Sequence, residues 1–218
     1  MKKYDVIIFD LDGTLSNSGE GITKSVQYAL KRFGIIEENL DNLKHFVGPP
    51  MKEEMMKSYG FTEGQATEAV SVYRERYVPI GLYETSLYEG IVDLLENLKK
   101  HGKMIAMATS KPQSMAEEVA RTLEIETYFD YIMGADLIGG KQKKEDVLKA
   151  LLEILPVKNK EKMLMVGDTI FDVEGAKAVG IDCMGVSYGY GDKEDMLKEG
   201  AASVADSAED LLKDILGQ

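Results

Sequence analysis

The chain has 218 residues, 44% of them apolar, a formal net charge of −12 and a single cysteine, Cys183. Its acidity excludes a surface built to neutralise a nucleic-acid backbone or an anionic membrane, so any anionic ligand must be met locally. The lone cysteine excludes an internal disulfide framework and suits a reducing, cytoplasmic setting. No apolar run approaches the roughly 18 residues of a spanning helix, and the opening Met-Lys-Lys-Tyr-Asp runs straight into a strand, so no signal peptide is expected.

Tyr4-Asp5-Val6-Ile7-Ile8-Phe9 reads as a buried strand, and Asp10-Leu11-Asp12-Gly13-Thr14 follows it at what becomes a sheet edge. Side chains alternate along a strand, which sends Asp10 and Asp12 to the same side with Cβ atoms about 7 Å apart. Two carboxylates so placed need a cation between them or a retained proton, and both arrangements suit catalysis. A plain turn with Gly13 at positive φ also accounts for the segment taken alone. An EF-hand calcium loop does not, because counting from Asp10 its fifth, sixth and twelfth positions hold Thr14, Leu15 and Gly21.

Residues 16–84 carry a helical pattern. Ile22, Val26, Ala29, Leu30 and Phe33 form one stripe closed by Gly34. Further helices are expected over 51–58 and 63–78, the latter with Ala66, Ala69, Val70, Tyr73 and Tyr77 inward and Pro79 as its stop. Phe46-Val47-Gly48-Pro49-Pro50-Met51 is a rigid turn. Gly48 and Pro49 in it either present backbone to a small substrate or simply break two helices apart.

From residue 87 helix and strand alternate. Ile91, Leu94, Leu95 and Leu98 stripe a helix ended by His101-Gly102, and a strand follows over 103–108. Pro112 opens a helix with Met115, Ala116, Val119 and Leu123 inward. A strand over 131–133, a helix over 147–155, a strand over 163–166, a helix over 171–179 and strands over 183–186 and 203–205 complete the pattern, with Cys183 a packed thiol. This repetition predicts an α/β fold, a doubly wound Rossmann-like parallel sheet with helices on both faces and ligands beyond the carboxyl ends of its strands. Residues 1–15 and 85–218 are expected to form that core, and residues 16–84 a small helical domain over the same edge.

Three further strand ends carry polar residues. Thr109-Ser110-Lys111-Pro112 offers hydroxyls and free N–H groups to phosphate oxygens, or an ordinary helix cap. Lys141, Lys143 and Lys144 precede a helix start, where positive charge opposes the helix dipole; they either serve a site or are solvated. Asp168 in Gly167-Asp168-Thr169-Ile170-Phe171-Asp172 is a hard-oxygen ligand suited to Mg²⁺, with Asp172 placed to orient it or hold a metal-bound water. Thr169 and Asp172 also fit a capping pair. The loop Tyr188-Gly189-Tyr190 falls at the same edge, where it could brace a phosphate site.

Together these segments resemble the haloacid dehalogenase superfamily, in the branch with a helical cap inserted after the first motif. Asp10-Leu11-Asp12-Gly13-Thr14 is similar to the family's first motif, Thr109 to its second, Lys144 to its third and Gly167-Asp168 through Asp172 to its fourth. Lys144 is preferred over Lys141 and Lys143 because Lys144-Glu145-Asp146-Val147-Leu148 has that motif's form. The resemblance implies that Asp10 attacks phosphorus to form an aspartyl-phosphate, and that Asp12 protonates the leaving group and then activates water. It also implies Mg²⁺ held by Asp10, Asp168 and the Asp12 backbone carbonyl, with Thr109 and Lys144 on the transferring oxygens.

The Gly48-Pro49-Pro50 loop resembles phosphoglycolate-phosphatase-like members, which with Ser110, Gly48 and Pro49 as substrate contacts makes phosphoglycolate the expected substrate class. A 5'-nucleotidase or phosphosugar phosphatase needs no change in the core. Dehalogenases of this type lack the acid at Asp12, a β-phosphoglucomutase-like isomerase carries a histidine soon after the first motif where this chain has none, and a phosphonatase needs a Schiff-base lysine for which only Lys24 or Lys31 offers itself. A phospho-aspartate receiver is the rival from another class, and has no use for a helical insertion over its site. The expected partner is a small phosphorylated substrate, with no nucleic acid, membrane or obligate protein partner.

Overall fold

The computed structural model describes residues 4–136 and 143–217. Its main sheet comprises β1 (Val6–Phe9), β4 (Met104–Pro112), β5 (Tyr131–Ala135), β6 (Met163–Gly167), β7 (Asp182–Val186) and β8 (Val204–Ala205), all parallel, in the order β5-β4-β1-β6-β7-β8. Helices α4 (Ile91–Lys100), α5 (Gln113–Thr122), α6 (Lys144–Ile154), α7 (Ile170–Val179), α8 (Lys193–Glu199) and α9 (Ala208–Leu216) connect and cover the strands. The Rossmann-like arrangement expected from alternating helix and strand is therefore present.

The continuous apolar strands follow from burial on both faces. Ile7 and Phe9 of β1 join Ile105, Met107, Leu164 and Val166 in one core, while Val6 and Ile8 join Ala106, Ala108, Met163 and Met165 in the other. The chain runs from β1 outward through β4 to β5, then returns to β6 on β1's other flank, so the order reverses at β1. Phe9 is level with Met107 of β4 and Val166 of β6, which delivers Asp10, Thr109 and Asp168 to neighbouring strand ends at this switch point.

Between β2 (Ser16–Asn17) and β3 (Ser86–Leu87) lie α1 (Gly19–Arg32), α2 (Met51–Tyr59) and α3 (Glu63–Tyr77). The two short strands pair antiparallel, Ser16 with Leu87 and Asn17 with Ser86. Ile22, Val26, Ala29 and Leu30 are buried on α1, as its stripe predicts, with Phe33 packed at the edge. On α3 the inward set is Ala66, Ala69, Val72, Tyr73 and Tyr77. Val70 is a correction: it is half-buried and faces a cleft instead of the core, with Val72 packed in its place. The apolar interior of these helices is continuous with the Ile7 and Phe9 side of the sheet.

Other boundaries also shift. The first strand begins at Val6 rather than residue 4, α6 starts at Lys144 rather than residue 147, and β4 runs on through Pro112. Helices α8 and α9 are additions to the expected pattern. Among the described residues, no helix is long and apolar enough to cross a membrane.

Candidate active site

After β1 the chain folds into a tight turn in which the Gly13 N–H donates to the Ser16 carbonyl at 2.8 Å and the Ser16 N–H to the Leu11 carbonyl at 2.9 Å. Gly13 takes φ +85°, and a Cβ there would lie 2.1 Å from Asp168 Oδ2. Gly189 lies on another side of the same carboxylate, where a Cβ would meet Asp168 Cβ at 2.3 Å. Both positions thus need glycine because the chain closes directly around Asp168. Thr14 Oγ1 donates to Asp168 Oδ1 at 3.2 Å and the Tyr190 N–H to Asp168 Oδ2 at 2.8 Å, fixing the carboxyl plane from two sides.

Asp10, Asp168 and Asp172 are buried, with one carboxylate oxygen of each within 4.8 Å of the others. Burial first, then Lys144 acting against it and the neighbouring acids with it, leaves the Asp10 carboxyl pushed up to about 6. Burial also raises Asp168 well above the usual carboxylate range, reinforced by Asp172 and Asp10. Lys144 enters this group from the first turn of α6. Its Nζ is 2.7 Å from Asp10 Oδ1 and 2.9 Å from Asp172 Oδ1, and it donates to the Ala108 carbonyl at 2.9 Å. Burial alone would lower the Lys144 ammonium, but the two carboxylates outweigh it and hold it above its ordinary value. Asp172 Oδ2 also accepts from the Thr169 N–H and hydroxyl at 3.1 and 3.0 Å, so the capping pair and the acid cluster are one structure.

One ammonium among three buried carboxylates leaves an excess of negative charge, and the donors are all hard oxygens; the cluster fits a divalent cation. The third acid of the trio is Asp172; Asp12, expected to offer the metal its backbone carbonyl, turns its carboxylate to another partner. Asp12 Oδ2 lies 2.9 Å from Lys111 Nζ, and its Oδ1 is buried without a hydrogen bond.

Lys111 is the residue that sequence reasoning missed. It stands two positions after Thr109, in the stretch of β4 where the register with β5 shifts, and its own N–H donates to Thr109 Oγ1 at 3.2 Å. Its Nζ donates to Tyr77 Oη at 2.6 Å and sits 4.9 Å from the centre of that ring. Burial lowers this ammonium, but Asp12 and Tyr77 raise it more, to a net value above the ordinary one. Its place beside Thr109 at a strand end was the available signal; Tyr77, 34 positions away, was not visible locally.

Tyr190 belongs to the loop expected at this edge as a brace, and its own contacts are to Asp168 and α1. Besides its N–H to Asp168, its hydroxyl accepts from the Gly19 N–H at 2.7 Å and donates to Asn17 Oδ1 at 2.6 Å, tying the Asp168 loop to the start of α1.

A cleft of about 420 Å³ opens over these residues. Asp10, Asp12, Thr109, Ser110 and Lys111 line its floor, and Gly48 and Pro49 stand on its wall, joined by Phe46, Met51, Tyr73 and Arg74. Gly48, Pro49, Thr109 and Ser110 are thus brought to one space. Lys143 and Lys144 border a smaller recess of about 180 Å³ beside it. Lys141 lies outside the described residues. His45 is exposed, and His101 Nδ1 meets the Asn97 carbonyl at 2.8 Å at the end of α4, so neither histidine enters the cleft.

Comparison with known proteins agrees with this geometry. Residues 7–186 match the family described as haloacid dehalogenase-like hydrolase. A 5'-nucleotidase of Pseudomonas aeruginosa is 44% identical over 89% of this chain and 87% of its own length. The tyrosine-protein kinase PtkA of Mycobacterium tuberculosis is 40% identical over 97% of this chain and 72% of its own. Proteins named phosphoglycolate phosphatase, from Pseudomonas aeruginosa and Aquifex aeolicus, are 28% and 34% identical over 95% and 85% of this chain and 78% and 85% of their own lengths. The crystal structure of a predicted phosphatase from Clostridium acetobutylicum superposes with a TM-score of 0.96 at 40% identity, covering 99% of this chain and 100% of that one. On its fold, its strand-end acids and these relatives, the chain belongs to the haloacid dehalogenase-like hydrolases, as a phosphatase of that family.

Proposed function

We propose that the chain is a Mg²⁺-dependent phosphomonoester hydrolase working through an aspartyl-phosphate on Asp10. The observation that carries this reading is the convergence of Asp10, Asp12, Thr109, Lys144 and Asp168 at neighbouring strand ends beneath one cleft.

In this reading an Asp10 carboxylate oxygen attacks phosphorus as the bond to the leaving oxygen breaks, and Asp12 gives that oxygen its proton. Asp12, now a carboxylate, then takes a proton from the water that attacks the phosphoryl group, and phosphate leaves with Asp10 restored. The Thr109 hydroxyl and the N–H groups after it hold the transferring oxygens, while Lys144 keeps the Asp10 carboxylate aimed and balances its charge. Asp10, Asp168 and the Asp12 backbone carbonyl would hold Mg²⁺, with Asp172 beside them. The ion supplies positive charge that offsets repulsion between carboxylate and phosphate.

Residues 16–84 act as a cap on a core of residues 1–15 and 85–218, hinged at the β2–β3 pair, and the single buried cysteine suits the cytoplasm. For substrate, the reading prefers nucleoside monophosphates to phosphoglycolate. The 420 Å³ of the cleft exceed what a two-carbon ester fills, Met51 and Val70 give its wall apolar surface, and the 44% identical relative bears the name 5'-nucleotidase.

Release of inorganic phosphate from nucleoside monophosphates, phosphoglycolate and sugar phosphates, with and without Mg²⁺, tests the reading. Mg²⁺-dependent release is expected, with Asp10→Asn slowed on the order of 10⁴-fold. Full turnover in Asp10→Asn, or in the presence of EDTA, would overturn it.

A further inference from the structure

The cleft holds a cation that the chemistry above does not use. On α3, Thr67, Val70, Ser71 and Arg74 follow one another at helical spacing along the cleft side, and Arg74 is half-buried there. The other basic groups of this wall and floor have partners: Lys52 pairs with Glu63 at 2.9 Å and Lys111 with Asp12 at 2.9 Å. Arg76, two residues along the same helix but outside the cleft, is gripped by both oxygens of Glu84 at 2.9 and 3.0 Å. Among the described residues the Arg74 guanidinium has neither an ion pair nor a hydrogen bond. A planar fork of five donors kept partly from water without acceptors is unfavourable unless a ligand brings them.

We propose that Arg74 is a specificity residue that reads the end of the substrate remote from the phosphate, selecting a group that presents two adjacent acceptors. This rests on the phosphatase reading of the site. Two kinds of substrate carry such an end. A carboxylate offers two oxygens to the fork, and a 6-oxopurine offers O6 and N7, whereas adenine sets an N6 donor beside N7 and repels one tine. Arg74 therefore discriminates within a substrate pair that differs only at that end.

The test is kcat/KM for two matched pairs, phosphoglycolate against ethyl phosphate and GMP against AMP, in the wild type, Arg74→Gln and Arg74→Lys, with thermal unfolding to check that each variant folds. In the pair that the enzyme favours, the preference for the two-acceptor member should fall about 10- to 100-fold in Arg74→Gln, through KM more than kcat, and be partly restored in Arg74→Lys. Loss confined to the first pair identifies a carboxylate, and loss confined to the second an oxopurine. Equal slowing of all four substrates, or unchanged ratios, would overturn the assignment. Calorimetric Kd values for phosphoglycolate and GMP in Mg²⁺, compared between Asp10→Asn and the Asp10→Asn, Arg74→Gln double variant, report the same contrast independently of turnover. A wild type that binds them through Arg74 but releases no phosphate would count against the phosphatase reading alone.

Discussion

Lys111 of β4 reaches the hydroxyl of Tyr77, the last residue of α3, at 2.6 Å while its ammonium lies 2.9 Å from Asp12. One buried cation thus joins the proposed acid–base residue to the helical segment above it. Lys111→Met should lower kcat about 10²-fold, since Asp12 loses the group that orients it, with a smaller change in KM. Tyr77→Phe should cost about 1–2 kcal/mol of stability and act in the same direction more weakly. Steady-state kinetics of both variants and of the double variant checks this: the double variant should match Lys111→Met alone, because Tyr77 acts through the lysine.

The proposed metal role of Asp168 comes at the expense of the metal-free fold. Its Oδ1 accepts from Thr14 and its Oδ2 from Tyr190, and an asparagine can keep both contacts with its oxygen toward Tyr190 and its amide toward the rotatable Thr14 hydroxyl. Asp168→Asn should therefore weaken Mg²⁺ binding by about 10- to 100-fold or more and raise the melting temperature in EDTA, by removing one of three crowded acids. Titration calorimetry and thermal unfolding with and without Mg²⁺ separate the two effects; a lower melting temperature in EDTA would contradict the crowding argument.

The Asp10 carboxyl, pushed by burial from 3.8 to about 6, sets a pH dependence for the metal-free protein. Between these values the folded chain holds a proton that the unfolded chain has released, so stability falls as pH rises through this window. The span amounts to about 3 kcal/mol at most. Asp10→Asn should show a shallower decline, the remainder coming from Asp168, which burial also raises, and Mg²⁺ should suppress the decline in the wild type. Denaturant unfolding at pH 4 to 7 in EDTA and in Mg²⁺ measures the difference.

The parallel sheet was legible because its central strands are buried on both faces and so read as unbroken apolar runs, and the acids at their ends stood out against that background. The α1 stripe was legible for the complementary reason, one face buried and the other wet. The two-residue strands Ser16–Asn17 and Ser86–Leu87 are too short to show any periodicity, and their pairing is long-range. Helix α9 did carry a signal, Ser207 three residues before Asp210 and then Leu211 and Ile215, which the reading stopped short of. Val70 misled because it is the one aliphatic residue among Thr67, Ser71 and Arg74 on the cleft side of α3, and a lone valine there reads like a core position. The role of Lys111 and the partners of Tyr190 escaped because a side chain's partner across the fold leaves no trace in its neighbours along the chain.

Asn17 and Ser86 are register partners, so the polypeptide goes out to the three helices and comes back through a single doorway. The cleft wall formed by Phe46, Met51, Tyr73 and Arg74 is threaded through that doorway, while Asp10, Thr109 and Asp168 stay behind it. The outer helices can therefore vary freely only where they leave two ties intact, Tyr77 on Lys111 and the start of α1 on Tyr190, because through these the insertion reaches the carboxylates of Asp12 and Asp168.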